Sequence, residues 1–194
     1  MSKSDPVAAK KERNKTIRWV VTIFIVTIFI SGAISLISDV IMENSSVFVA
    51  FLILLAIILI GIVFDIIGMA VASADEKPFH SMAARKVPGA QESIALLRNA
   101  ERVSSICNDV VGDICGVVSG SASATIAVQI ISNFDFSWPQ IVSLAMSALA
   151  AGLTVGGKAI GKSFAVNSST AIVHSVGKCI HWLHSLTKPK KKTK

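Results

Sequence analysis

The run FVAFLILLAIILIGIVF, inside residues 47–73, holds no polar side chain. No soluble helix with a wet face can be drawn through it. A bilayer core about 30 Å thick needs roughly 20 mainly apolar helical residues, and residues 47–73 meet that need. Residues 17–37 (IRWVVTIFIVTIFISGAISLI) do the same. They open on Arg18 and Trp19, types that anchor helix ends at the membrane interface. Two further stretches are built of smaller residues: 104–131, rich in Gly, Ser and Ala, and 139–161, which contains SLAMSALAAGLTVGG. Small residues face lipid poorly but let helices approach closely, so these two are read as the inner helices. The expected fold class is all-α: a polytopic helical membrane bundle of about four transmembrane helices, with juxtamembrane amphipathic helices.

Charge placement tests that topology. Of the 19 Lys and Arg residues, six lie in residues 1–18, five in residues 77–102 and eight from Lys158 onward. The two remaining loops, residues 38–46 and 132–138, hold none, and carry Asp39, Glu43 and Asp135 instead. With four helices all the positive charge falls on one side, which the positive-inside rule makes cytoplasmic. The expected localisation is therefore integral to a membrane, a bacterial plasma membrane, with both termini in the cytoplasm.

Only 16% of the residues are charged, against roughly a quarter in soluble domains. The net charge of +7 is not read as a nucleic-acid footprint, because the basic residues flank apolar runs. It fits anionic lipid. The lipid bilayer itself is the first expected partner, with anionic lipid at the basic tails and no nucleic acid. The organisation is a basic N-terminal tail (1–16), a first transmembrane helix (17–38), a larger transmembrane domain (47–187) and a basic tail KPKKKTK (188–194). The first helix is read as an uncleaved signal anchor. Its basic start is long, and no small-x-small site closes its core before Asp39.

Two amphipathic segments complete the cytoplasmic side. Residues 90–103 place Ile94, Leu96, Leu97 and Val103 among Arg98, Glu101 and Arg102, as a short helix lying along the membrane would. Residues 164–186 repeat Ile172, Val173, Val176, Ile180, Leu183 and Leu186 at helical spacing, with His174, Lys178 and His181 on the other face. That pattern predicts an in-plane helix anchored by Trp182.

Three carboxylates fall inside membrane segments: Asp65, Asp109 and Asp113. Each costs about 2.5–3.5 kcal/mol at mid-membrane. No Lys or Arg lies deep in any segment, so the acids are expected to be protonated, hydrogen-bonded, hydrated or bound to a cation. Asp109 and Asp113 are four apart and share a helix face. Asp65 and Asp113 each lie roughly 12–14 Å from the cytoplasmic end of their helix, so they can meet at one depth. Asn108, Ser119, Ser121 and Ser123 could add oxygens, and oxygen-rich sites suit hard cations such as Mg²⁺. A cation site or proton relay is one reading. A polar cluster that locks helix packing is the other.

Gly112, Gly116, Gly120 and Ala124 recur every fourth residue, as do Ala148, Gly152 and Gly156. Such stripes serve intrachain packing or a homodimer seam. Cys107, Cys115 and Cys179 fit no zinc spacing and are read as small buried hydrophobes without a disulfide. His174, His181 and His184 lack a carboxylate or cysteine to complete a metal site. No nucleophile elbow, phosphate loop or HExxH pattern occurs, so no catalytic residue, organic cofactor or enzyme activity is expected.

Several local patterns follow one another in a recognisable order: GMAVASA (68–74), GAQESIALLRNAERV (89–103), VGDICG (111–116) and GGKAIGKSFAVN (156–167). Over roughly 140 of the 194 residues the layout resembles the membrane domain of the CorB/CorC and cyclin M magnesium transporter family. That family has three transmembrane helices, juxtamembrane helices and a belt-like helix. The resemblance places Asp65 and Gly68 where the family commonly has Ser and then Glu. It also places Gly112-Asp113 at a Gly-Asn pair, and Lys162 at the Lys of a later Gly-Glu-x-x-Pro-Lys ending whose Glu and Pro this chain lacks. The family's Ser and Asn line its magnesium site. The resemblance therefore implies Asp65 and Asp113 as ligands of a divalent cation, with Asp109 as an outer acid at the cytoplasmic mouth. The expected assembly is a homodimer, and the chain departs from the family by an extra helix at the front and by lacking the nucleotide-binding CBS pair. The alternative is a non-transporting membrane scaffold or regulator of another membrane protein.

Overall fold

A computed structural model describes residues 6–43, 45–133 and 138–187. The basic tail 188–194, residues 1–5 and Asp135 lie outside the described residues. Helices α1 (Pro6–Glu43), α2 (Val47–Ser73), α3 (Lys77–Ala84), α4 (Ala90–Arg98) and α5 (Ala100–Ser105) follow in order. A π-helical segment (Ile106–Gly112) then leads into α6 (Asp113–Asn133), followed by α7 (Pro139–Asn167) and α8 (Ser169–Thr187). Among the described residues there is no strand. Four stretches are long and apolar enough to cross a membrane: Ile17–Met42, Val47–Ser73, Ala100–Asn133 and Pro139–Asn167. The chain is an all-α membrane bundle.

Boundaries differ from the sequence reading for local reasons. Helix α1 reaches back to Pro6, so most of the expected N-terminal tail continues the helix. Its Ala, Lys, Glu and Arg residues are good helix formers, and proline is tolerated in a first turn. The same rule admits Pro78 in α3. That proline lies in the first turn of α3. The single helix expected over 90–103 is broken at Asn99 (φ −115°, ψ 27°). Helix α7 continues six residues beyond Gly161, to Asn167, and carries Lys158 and Lys162 inside the span.

Helix α2 is the hub. A methyl at Gly61 would come 2.8 Å from Cys115 Cβ, and one at Gly161 would come 2.7 Å from Ile66 Cγ1. The missing side chains let Cys115 of α6 approach the α2 backbone and Ile66 of α2 approach the α7 backbone. Met42, Ala50, Leu54, Ile58, Ala122 and Ile126 form one apolar cluster. At the opposite end, Ala70, Val71, Phe79, Ala165 and Val173 form another. Fully burying a side chain such as Phe79 stabilises by about 1.5–3 kcal/mol, which anchors the short helix α3 to the end of α2.

Helix α1 lies outermost. Phe24, Ile28, Phe29, Leu36 and Ile37 are all exposed. An apolar surface of this extent belongs against lipid. It is held to the third span at both ends. The Arg102 guanidinium sits 5.6 Å over the Trp19 ring, and Gln129 Nε2 donates to the Met42 carbonyl (2.6 Å). The first and third spans therefore run in the same direction.

Helices α3, α4 and α8 cap the end of α2. Gly89 adopts φ +85°, a left-handed conformation that glycine takes without strain. A side chain there would strike the backbone of Lys178. Ser93 Oγ lies buried between the carbonyls of Gly89 (2.8 Å) and Val173 (3.2 Å). The expected amphipathic helix at the C-terminal end is present as α8, and two histidines of its polar face reach α4 and the turn before it. His174 Nε2 is 3.3 Å from the Pro88 carbonyl, and His181 Nδ1 is 2.8 Å from Glu92 Oε1. This hydrogen bond holds the Glu92 carboxyl below its ordinary value of 4.5. Trp182, Leu183 and Leu186 face outward.

Candidate functional site

Asp65 of α2 is 3% exposed, and two lysines of α7 flank it. Its Oδ1 lies 3.9 Å from Lys158 Nζ, and its Oδ2 lies 3.9 Å from Lys162 Nζ. Lys158 and Lys162 are four residues apart and project from one face of α7. Across the cluster, Lys158 Nζ stands 3.7 Å from Asp113 Oδ1 and donates to the Gly112 carbonyl at 3.2 Å. Three oxygens from two helices thus surround one ammonium. Two carboxylates and two ammonium groups balance in formal charge. The expectation that the intramembrane acids lack basic partners is corrected here: Lys158 and Lys162 lie nine and five residues inside the end of α7 and turn toward Asp65.

Gly112 brings its backbone close to the cluster. A methyl there would lie 3.4 Å from Lys158 Nζ and 3.7 Å from Asp65 Oδ1. The π-helical segment ends at the same residue. Such segments insert an extra residue per turn and often mark functional positions.

The depth of the cluster follows from the contacts of α1. Arg102 is level with Trp19, and Ser121 Oγ is 3.5 Å from Asp39 Oδ1. Asp113 lies 11 residues past Arg102 and eight before Ser121, about 16 Å and 12 Å along the helix. Asp113 therefore sits near the middle of the third span, while Asp65 lies eight residues from the cap-side end of α2 and Lys158 and Lys162 lie nine and five from that of α7.

The sequence-predicted site residues divide. Asp65 and Asp113 converge on one lysine. Asp109 stands apart and exposed, accepting from Ser105 Oγ at 2.8 Å. With Glu101, Ser104 and Ala72 it lines a cavity of about 350 Å³. Asn108 faces Gly68 and donates to Ser104 Oγ (3.4 Å), while its Oδ1 has no hydrogen bond. Ser119 and Ser123 bond to carbonyls of their own helix and line a separate cleft of about 270 Å³ between α6 and α7. Ser121 reaches Asp39. Among the described residues no group of three or more His, Cys, Asp or Glu side chains is close enough to hold a metal ion. The three cysteines are free; Cys107 is buried, Cys115 half-buried and Cys179 exposed.

Lys158 and Lys162 are the functional candidates that sequence reasoning missed. Their four-residue spacing on a helix opposite an intramembrane acid was the available signal. Comparison with protein-family models, curated proteins and solved structures finds no match to this chain.

Proposed function

We propose that this membrane protein handles a divalent cation, with Mg²⁺ as cargo and the Asp65–Asp113 pair as its intramembrane way-station. The observation that carries this reading is the ammonium of Lys158 held among Asp65 Oδ1, Asp113 Oδ1 and the Gly112 carbonyl. That oxygen set, inside the span, suits a small hard cation. Mg²⁺ keeps several waters and takes one or two carboxylates, and this site offers two. Asp109, with its cavity, would supply an outer acid between the site and the cap. The resemblance to the CorB/CorC and cyclin M family points the same way.

Orientation belongs to the same proposal. The loops joining the spans on the side away from the cap, residues 44–46 and 134–138, contain no Lys or Arg. The positive-inside rule then puts the cap and both ends of the chain in the cytoplasm, with the basic tails near anionic lipid. A homodimer is proposed from the outer faces of α6 and α7. Methyl groups at Gly116, Gly120, Gly152 or Gly156 would meet nothing within 4 Å, so these stripes are free for a second copy.

The second reading, a non-transporting scaffold or regulator, is favoured by the internal charge balance of the cluster. Mg²⁺ flux into proteoliposomes separates the two. The transport reading expects flux that is lost in the Asp65→Ala, Asp113→Ala double variant. Flux that is absent in the wild type, or unchanged in the variant, would overturn it.

A further inference from the structure

We infer that Lys158 is a tethered counter-cation: its ammonium fills the position an incoming divalent cation must take, and its withdrawal sets the affinity of the site. The inference rests on the cation reading above and adds the residue that controls it. Three observations support it. First, Lys158 Nζ contacts the three oxygens that a cation would use, at 3.2, 3.7 and 3.9 Å. Second, the oxygens are incompletely satisfied by lysine. Only the Gly112 carbonyl receives a hydrogen bond from Nζ, while Asp65 Oδ1 and Asp113 Oδ1 stand at the longer ion-pair distances. Third, Gly112 puts no side chain beside Nζ, where a methyl would already be in contact at 3.4 Å. A cation bound with Lys158 in place would add charge to a neutral cluster in a low-dielectric interior, where uncompensated charge is costly. With Lys158 removed, the remaining Asp65, Asp113 and Lys162 carry a net charge of minus one, and a cation is attracted.

The lysine-out state is the binding-competent one, so the apparent affinity is reduced by the fraction of time it is populated. A minor state of this kind is typically occupied about 10% of the time or less. Lys158→Met should therefore bind Mg²⁺ at least about ten-fold more tightly than the wild type.

The test is calorimetric titration of Mg²⁺ into the detergent-solubilised full chain, for wild type, Lys158→Met and the Asp65→Asn, Lys158→Met double variant. The expected result is a tighter constant in Lys158→Met that is lost in the double variant. Equal or weaker binding in Lys158→Met overturns the inference. A second measurement does not depend on that variant folding. Lysines of the wild type are reductively ¹³C-methylated and followed by NMR, with Lys158 assigned through Lys158→Arg. Mg²⁺ saturation should move the Lys158 signal, and a fixed signal while Mg²⁺ binds overturns the inference. Binding by Lys158→Met alone upholds the inference and removes the transport reading for the wild type. Binding by wild type with no effect of Lys158→Met does the reverse. No binding by either defeats both.

Discussion

Asp65 on α2 and Lys158 on α7 face each other with 3.9 Å between Oδ1 and Nζ, the carboxylate almost wholly out of solvent and the lysine side chain 19% exposed. The pair ties the most apolar helix of the bundle to one built of small residues. The close approach allowed by Gly157 and Gly161 beside Ile62 and Ile66 is what makes the contact possible.

The two acids should differ in their structural weight. The Asp65 side chain is 4% exposed and the Asp113 side chain 72%. Asp65→Asn removes the shared counter-charge of two lysines and should destabilise by about 3 kcal/mol, the usual cost of orphaning a buried charge. Asp113→Asn should cost under about 1 kcal/mol, as exposed pairs do. Thermal unfolding in detergent ranks them. Equal destabilisation would mean that Asp113 is covered.

Glycine substitutions should separate internal packing from the outer stripes. Gly61→Ala drives a methyl against Cys115 Cβ and should destabilise by about 1–3 kcal/mol, the range for an overpacked contact. Gly116→Ala meets nothing within 4 Å and should be neutral or slightly stabilising, because alanine favours the helix by about 0.5–1 kcal/mol. If a second copy packs on that stripe, Gly120→Leu should shift light-scattering mass from dimer to monomer without lowering the unfolding temperature of the monomer. An unchanged mass would remove these stripes from the dimer seam.

Much of the bundle was legible in the residues. The unbroken apolar run of α2 and the Arg18–Trp19 start of the first span required membrane helices, and the absence of Lys and Arg from two loops required an even number of them. The shared depth of Asp65 and Asp113 followed from counting residues along two helices. Lys158 and Lys162 were not recognised as partners. Hydropathy and the positive-inside rule assign lysines to the aqueous flank, and no proline or turn dipeptide marks where α7 ends. The π-helical segment left no mark either, since no residue pattern in Ile106–Gly112 separates an i→i+5 turn from an α-helical one. His181 does lie on the exposed face that the periodicity gives it, but periodicity cannot say which neighbour that face meets. Glu92, 89 residues away in sequence, decides that.

Acid should loosen the cap through the same pair. The Glu92 carboxyl is held below 4.5 by its hydrogen bond with His181. A depressed carboxyl contributes stability above its unfolded pKa and loses it as pH falls through the folded value. Amide exchange in α8 should therefore accelerate below about pH 4.5 in the wild type and much less in Glu92→Gln. Exchange with the same pH profile in both would show that the pair does not hold α8 to α4.

The most direct test of the central claim, that Asp65 and Lys158 form one coupled unit inside the span, is a double-mutant cycle on stability. Asp65→Asn, Lys158→Met and the combined variant are unfolded in detergent beside the wild type. The structure predicts that the two losses fall short of additivity by about 1 kcal/mol or more, because the second change removes a charge the first has orphaned. Losses that add to within about 0.5 kcal/mol would contradict the pairing.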